Sequence, residues 1–128
     1  MGKIEKITSA RQKVARKYLQ KLAKISNLRL PSEPNNGEFN FQSFIVLLPK
    51  ELNRNKIIKV LADKNIETVL GTYAQHSQPS FRGYGYKPGD LPNSFYAQEH
   101  SLTLPLYGSM IEKEINYVVK NFKKVLEN

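Results

Sequence analysis

Apolar residues recur at Ile4, Ile7, Val14, Tyr18, Leu22 and Ile25, at separations that keep one stripe on a 3.6-residue helix. The spacing predicts a long amphipathic helix from Lys3 to about Ile25, with Lys13, Arg16, Lys17, Lys21 and Lys24 on its other faces. Pro31 to Glu38, with two prolines, two asparagines and Gly37, predicts the loop that follows. From Phe39 to Leu48 the period changes to two: Phe39, Phe41, Ile45 and Leu47 fall on one pleat face, Phe44, Val46 and Leu48 on the other. This predicts a central strand, apolar on both faces toward its C-terminal end and closed by Pro49.

A shorter helix is expected from about Asn53 to Lys64, burying Ile57, Ile58 and Leu61, with Asn65 as a left-handed stop. Ile66 to Thr72 reads as a second strand. From Tyr73 to Glu99 periodicity disappears into a long loop rich in Gly, Pro, Tyr and Phe. Ser101 to Leu106 reads as a third strand, and Ser109 with Glu112 as a capping box opening a last helix with Ile111, Ile115, Val118, Phe122 and Leu126 in its stripe. The expected fold is α+β: a small, mostly antiparallel sheet of about three strands covered by three helices.

A length of 128 residues, 40% of them hydrophobic, suits one domain spanning 1–128 with a genuine core. The absence of cysteine removes disulfides, thiolate metal sites and cysteine nucleophiles. No apolar run is long enough to cross a bilayer and no signal-peptide pattern opens the chain, so a cytoplasmic protein without membrane contact is expected. The net charge of +9 is concentrated at the start: residues 1–29 hold nine Lys or Arg against Glu5, whereas the remainder is nearly neutral. That could attract nucleic acid, form the solvated face of one helix, or meet an acidic neighbour.

Candidate chemistry is sparse. His76 and His100 stand 24 residues apart without a flanking acidic cluster, so no metal site is expected. His76 lies in Thr72-Tyr73-Ala74-Gln75-His76-Ser77-Gln78-Pro79, where a functional and a packing role are both open. Gly83-Tyr84-Gly85-Tyr86 lacks both the Walker ending and the following helix of a phosphate-binding loop and reads as a mobile turn. No serine has the context of a nucleophile elbow.

Four segments nevertheless carry a resemblance. They are Arg11-Gln12-Lys13-Val14-Ala15-Arg16-Lys17-Tyr18-Leu19-Gln20-Lys21-Leu22, Asn65-Ile66-Glu67-Thr68, His76-Ser77-Gln78-Pro79-Ser80-Phe81, and Ser101-Leu102-Thr103-Leu104-Pro105-Leu106-Tyr107-Gly108-Ser109-Met110. In this order they are similar to the C-terminal domain of the DegT/StrS-type, pyridoxal-phosphate (PLP)-dependent nucleotide-sugar aminotransferases. The resemblance implies a small domain that packs on a larger, cofactor-binding domain or subunit of a dimeric transaminase. That larger part would supply the Schiff-base lysine, so no catalytic or cofactor-binding residue is expected here. With it, glutamate would donate an amino group to a keto-sugar nucleotide; alone the chain would not be catalytic and would tend to self-associate. The resemblance also places the substrate contact in Gly71 to Phe81, with Tyr73 and His76 as its candidate residues. Many members have a His-Tyr pair where this chain has Gly71-Thr72, a departure at the usual sugar contact. The alternative is a stand-alone basic nucleic-acid-binding domain, with Tyr84, Tyr86 and Phe81 as stacking faces, or a regulatory interaction domain.

Overall fold

The computed structural model describes residues 2–127, the side chain of Arg82 excepted. Helix α1 spans Gly2–Leu22, strand β1 Phe44–Leu47, helix α2 Arg54–Ala62, strand β2 Val69–Leu70, helix α3 Pro92–His100, strand β3 Ser101–Leu104 and helix α4 Glu112–Leu126. Three 3-10 turns, at Gln75–Ser77, Pro79–Tyr84 and Pro88–Asp90, lie between β2 and α3. The sheet is antiparallel in the order β1-β3-β2, with Phe44 opposite Leu104 and Val69 opposite Thr103.

Two expectations about strands change. β3, not the Phe39–Leu48 segment, is central, and β1 is an outer strand of four residues whose free side meets only an isolated bridge from Arg29 to Leu47. Phe41 stops the strand upstream: its backbone is left-handed, with φ of 46°. Such strain in a non-glycine residue costs about 1–3 kcal/mol. Burial of its ring, 4.7 Å from Phe39 and 6.3 Å from Phe44, offsets that cost. β2 is likewise reduced to two residues.

The helices follow their stripes where these meet the core. Val14, Tyr18 and Leu22 of α1, Ile57 and Leu61 of α2, and Ile115, Val118 and Phe122 of α4 bury against Phe44, Val46, Leu102 and Leu104. On the other sheet face Ile45, Leu47 and Thr103 are half-buried and Val69 is exposed. Ile4 and Ile7 continue the α1 stripe beyond the core and remain exposed. Asn53 caps α2, its Oδ1 accepting the Lys56 N–H at 3.0 Å, and Asn65 is left-handed as expected, with φ of 56°.

Two further differences concern helices. Among the described residues there are four α-helices, because α3 occupies part of the stretch expected to be loop. It opens on Pro92, well suited to a first turn, but buries no residue completely and therefore lacks an apolar stripe. The capping box shifts by two: α4 begins at Glu112, and it is the Glu114 carboxylate that accepts the Ile111 N–H, at 2.9 Å. Glu112, thus freed, meets Lys17 at 2.6 Å and Lys21 at 2.8 Å.

Candidate functional site

The loop leaving β2 is held against β3 and α3. The Gly71 N–H donates to Ser101 O at 3.1 Å and the Thr72 N–H to Ser101 Oγ at 3.0 Å. A Cβ at Gly71 would stand 2.6 Å from Ile45 Cγ2, Ser101 Cβ and Ser101 Oγ, so this backbone approaches β1 and β3 too closely for any side chain. A side chain at position 71 would overlap β1 and β3 in this backbone.

The next residues converge on Gln98 of α3. Its Oε1 accepts the Ala74 N–H at 2.8 Å and Gln78 Nε2–H at 2.9 Å, which use both lone pairs of a carboxamide oxygen. Ser77 Oγ lies 2.8 Å from Ala74 O and 3.1 Å from Gln98 Oε1; its one hydrogen goes to the shorter contact. Gln98 thus orients the loop although it lies 20 or more residues further along the chain. No local pattern in the sequence singles it out.

The two candidate residues occupy different environments. Tyr73 is exposed, whereas His76 is buried with its Nε2 3.3 Å from Pro88 O. A carbonyl only accepts, so Nε2 carries the hydrogen and Nδ1 is the acceptor, buried and without a hydrogen-bond partner. His76 thereby ties the candidate loop to Pro79–Asp90. His100, whose ring lies tilted against Tyr96 with centroids 4.5 Å apart, takes no part in this cluster. Among the described residues no group of His, Asp or Glu could hold a metal ion. No described helix is long and apolar enough to cross a membrane.

The basic face of α1 is partly committed within the chain. Hydrogen bonds from Lys17 and then Lys21 hold the Glu112 carboxyl down at about 2, and Arg16 lies 3.9 Å from Glu33. A groove of about 990 Å³ opens away from the candidate loop, lined among others by Gln42, Val69, Thr103, Tyr107, Ile111 and Tyr117. It contains no residue of Gly71 to Phe81, so this groove and the candidate contact residues do not coincide.

A profile of the DegT/DnrJ/EryC1/StrS aminotransferase family matches residues 1–123. The chain belongs to this family. An uncharacterised protein of Methanocaldococcus jannaschii is 27% identical over 130 residues, which cover 98% of this chain and 34% of that protein. The spore coat polysaccharide biosynthesis protein SpsC of Bacillus subtilis is 23% identical, over 99% of this chain and 34% of its own length. Among solved structures, the aminotransferase TlmJ of Streptoalloteichus hindustanus superposes with a TM-score of 0.83 at 22% identity, over 97% of this chain and 33% of TlmJ. A Streptococcus pneumoniae protein described as a sugar aminotransferase, in its apo form, gives 0.87 at 20% identity, over 98% and 32%. The DegT-family chain thus shares their fold and spans about a third of their length.

Residues that carry the resemblance meet at one seam of this DegT-family domain. Tyr18 OH donates to Pro105 O at 2.9 Å and lies 3.9 Å from Met110 Sδ, while a Cβ at Gly108 would come within 2.9 Å of Ala10 Cβ. Burial first, then the neighbouring Tyr107 and Glu114, raises the Tyr18 phenol above its ordinary range. The seam locks α1 to the exit of β3, so two of the segments that carry the resemblance build scaffold.

Proposed function

We propose that this chain is one small domain of a PLP-dependent sugar aminotransferase and serves, together with a large domain or subunit, in amino transfer from glutamate to a keto-sugar nucleotide. The observation that carries this reading is the family match over residues 1–123, combined with a fold shared over a third of each solved relative. The Streptococcus pneumoniae protein has also been solved in PLP and PMP forms. In this reading Tyr73 offers its exposed hydroxyl to the sugar, and His76 joins it when the Pro88 contact opens.

The candidate loop does not fit PLP itself. Gly71 to Phe81 contains no Lys, Asp or Glu, hence neither an amine to hold the aldehyde nor a carboxylate to face the ring nitrogen. No step through the cofactor is therefore assigned to these residues; in the complete enzyme it belongs to the larger part. The nucleic-acid alternative is disfavoured because Lys17 and Lys21, two of the cations it needs, engage Glu112.

The test is to incubate the isolated chain with PLP and then add a family large domain. The chain alone should give no saturable cofactor absorbance band, and amino transfer from glutamate should require both parts. A saturable band abolished by replacing one lysine of this chain would overturn the division of labour.

A further inference from the structure

The groove that opens away from the candidate loop has an apolar floor that the described residues leave open. Val69, Tyr107, Ile111 and Tyr117 line it, each between 43% and 59% exposed. The Tyr117 ring is held in place, because its hydroxyl donates to Lys64 O at 3.1 Å. A tyrosine fixed in this way covers area at little cost in side-chain entropy, which suits it to anchor an interface. Exposed apolar residues scattered singly are ordinary, whereas four gathered in one concavity mark an interaction surface.

The charges around the floor decide what can cover it. The lining includes two acids, Glu67 and Glu114, and two bases, Lys113 and Lys120, and no residue of 1–29, where the basic excess lies. A face without net charge suits neither nucleic acid nor any other polyanion. Two copies that each carry +9 can meet here without setting their basic excesses against one another. Ile4 and Ile7, exposed at the start of α1, lack that property: Lys3 and Lys6 accompany them with only Glu5 in opposition, and would face like charges on a second copy. Around the groove the signs are also segregated. Glu114 accepts the Ile111 N–H at 2.9 Å, whereas Glu67, Lys113 and Lys120 are exposed and, among the described residues, in no ion pair. Glu67 precedes β2 on one side; Lys113, Tyr117 and Lys120, at helical spacing on α4, form the other. A two-fold rotation sets the acidic side of one copy against the basic side of the next, as a self-complementary contact requires.

We propose that this groove is a two-fold contact between copies of this chain, in which Ile111 and Tyr117 pack across the axis and Glu67 of each copy faces Lys113 and Lys120 of the other. Each of the four half-exposed apolar side chains leaves on the order of 100 Å² to cover, so a pair built on them buries about 800 Å². The lysine stems bring this toward the low end of specific interfaces, about 1,200 Å². The pair is therefore weak and reversible, dissociating at about 0.1 mM. It uses the groove residues alone and does not rest on the aminotransferase reading.

The test is sedimentation equilibrium of the isolated chain at physiological salt, over concentrations about tenfold either side of that constant. The average mass should climb toward two copies and no further, because a two-fold contact closes on itself. Ile111→Arg should weaken association at least about tenfold, and Ile7→Arg should leave it within about twofold. Both isoleucines are exposed, so both variants should keep the parent melting temperature. Lys120→Glu should weaken association about twofold to tenfold, and adding Glu67→Lys should recover part of the loss by exchanging the signs across the axis. A chain that stays monomeric throughout, growth past two copies, or association broken by Ile7→Arg and not by Ile111→Arg would each overturn the proposal, as would a charge exchange that recovers nothing. Amino transfer by the two-part enzyme bears on the aminotransferase reading alone and leaves this contact untouched.

Discussion

Replacing Gly71 by alanine should destabilise the fold at the root of the candidate loop. Three atoms, Ile45 Cγ2, Ser101 Cβ and Ser101 Oγ, would stand 2.6 Å from the new methyl group. Carbon atoms prefer about 3.5–4.0 Å, so the neighbours must yield by roughly 0.9 Å or more. Ile45 is β-branched and stiff, and Ser101 Cβ is attached to the central strand, so relief requires β2 and β3 to separate. That strains the Gly71 N–H bond to Ser101 O. Overpacking of this kind costs about 1–3 kcal/mol, against which the stiffer unfolded chain returns about 0.4–1 kcal/mol. Gly71 has no left-handed φ, so the expected net loss, about 1–2 kcal/mol, is steric. Urea denaturation should show a lower midpoint at unchanged slope. Ser101→Gly removes two of the three contacts, so combining it with Gly71→Ala should cost less than the sum of the single changes, with a coupling of about 1 kcal/mol. A neutral Gly71→Ala, or strict additivity with Ser101→Gly, would refute the close-packing argument.

Tyr18→Phe should cost about 1–2 kcal/mol by leaving Pro105 O without its donor. Because the folded phenol is raised above the ordinary value of 10.0, its contribution is fully present below that pH and is lost as pH climbs through the folded value. Wild type and Tyr18→Phe stabilities should therefore converge above pH 10, and curves that stay parallel there would contradict the assignment. Gln98→Ala should leave the core unchanged while Ala74 and Gln78 lose their shared acceptor, accelerating hydrogen exchange at the Ala74 amide by about tenfold, equivalent to about 1.4 kcal/mol. Unaltered exchange at Ala74 would show that the carboxamide does not hold the loop.

What could be read from the sequence was what has a local cause. The inner parts of the α1 and α4 stripes and the left-handed Asn65 each depend on residues within a few positions of one another and occur in the structure, whereas Ile4, Ile7 and Ile111 at the stripe ends are exposed. The central position of β3 does not: Phe44 to Leu48 is the more apolar segment, yet Phe41's left-handed turn shortens it and β3 alone pairs on both sides. Helix α3 escaped notice because Phe95, Tyr96 and Ala97 are all only half-buried, leaving no contrast between faces. Its visible signal was Pro92 at the first turn. At the candidate site, Tyr73 and His76 were legible as unusual side chains in a loop, but Gln98, which organises that loop, acts across 20 or more residues and has no signature near itself.

The charge distribution has the same two-level character. Nine basic residues before position 30 suggest an anionic partner when only the sequence is considered. In the folded chain Lys17 and Lys21 flank Glu112, the first residue of α4, and lower its carboxyl to about 2. A carboxylate in the first turn also complements the positive end of a helix dipole, so one side chain serves both the α4 terminus and the α1 face. These groups are exposed, and the pairing sets the register of α1 on α4 more than it adds stability. Tyr18 of α1 and Phe122 of α4 both lie in the buried core. Part of the basic excess is thus explained by assembly of the domain itself.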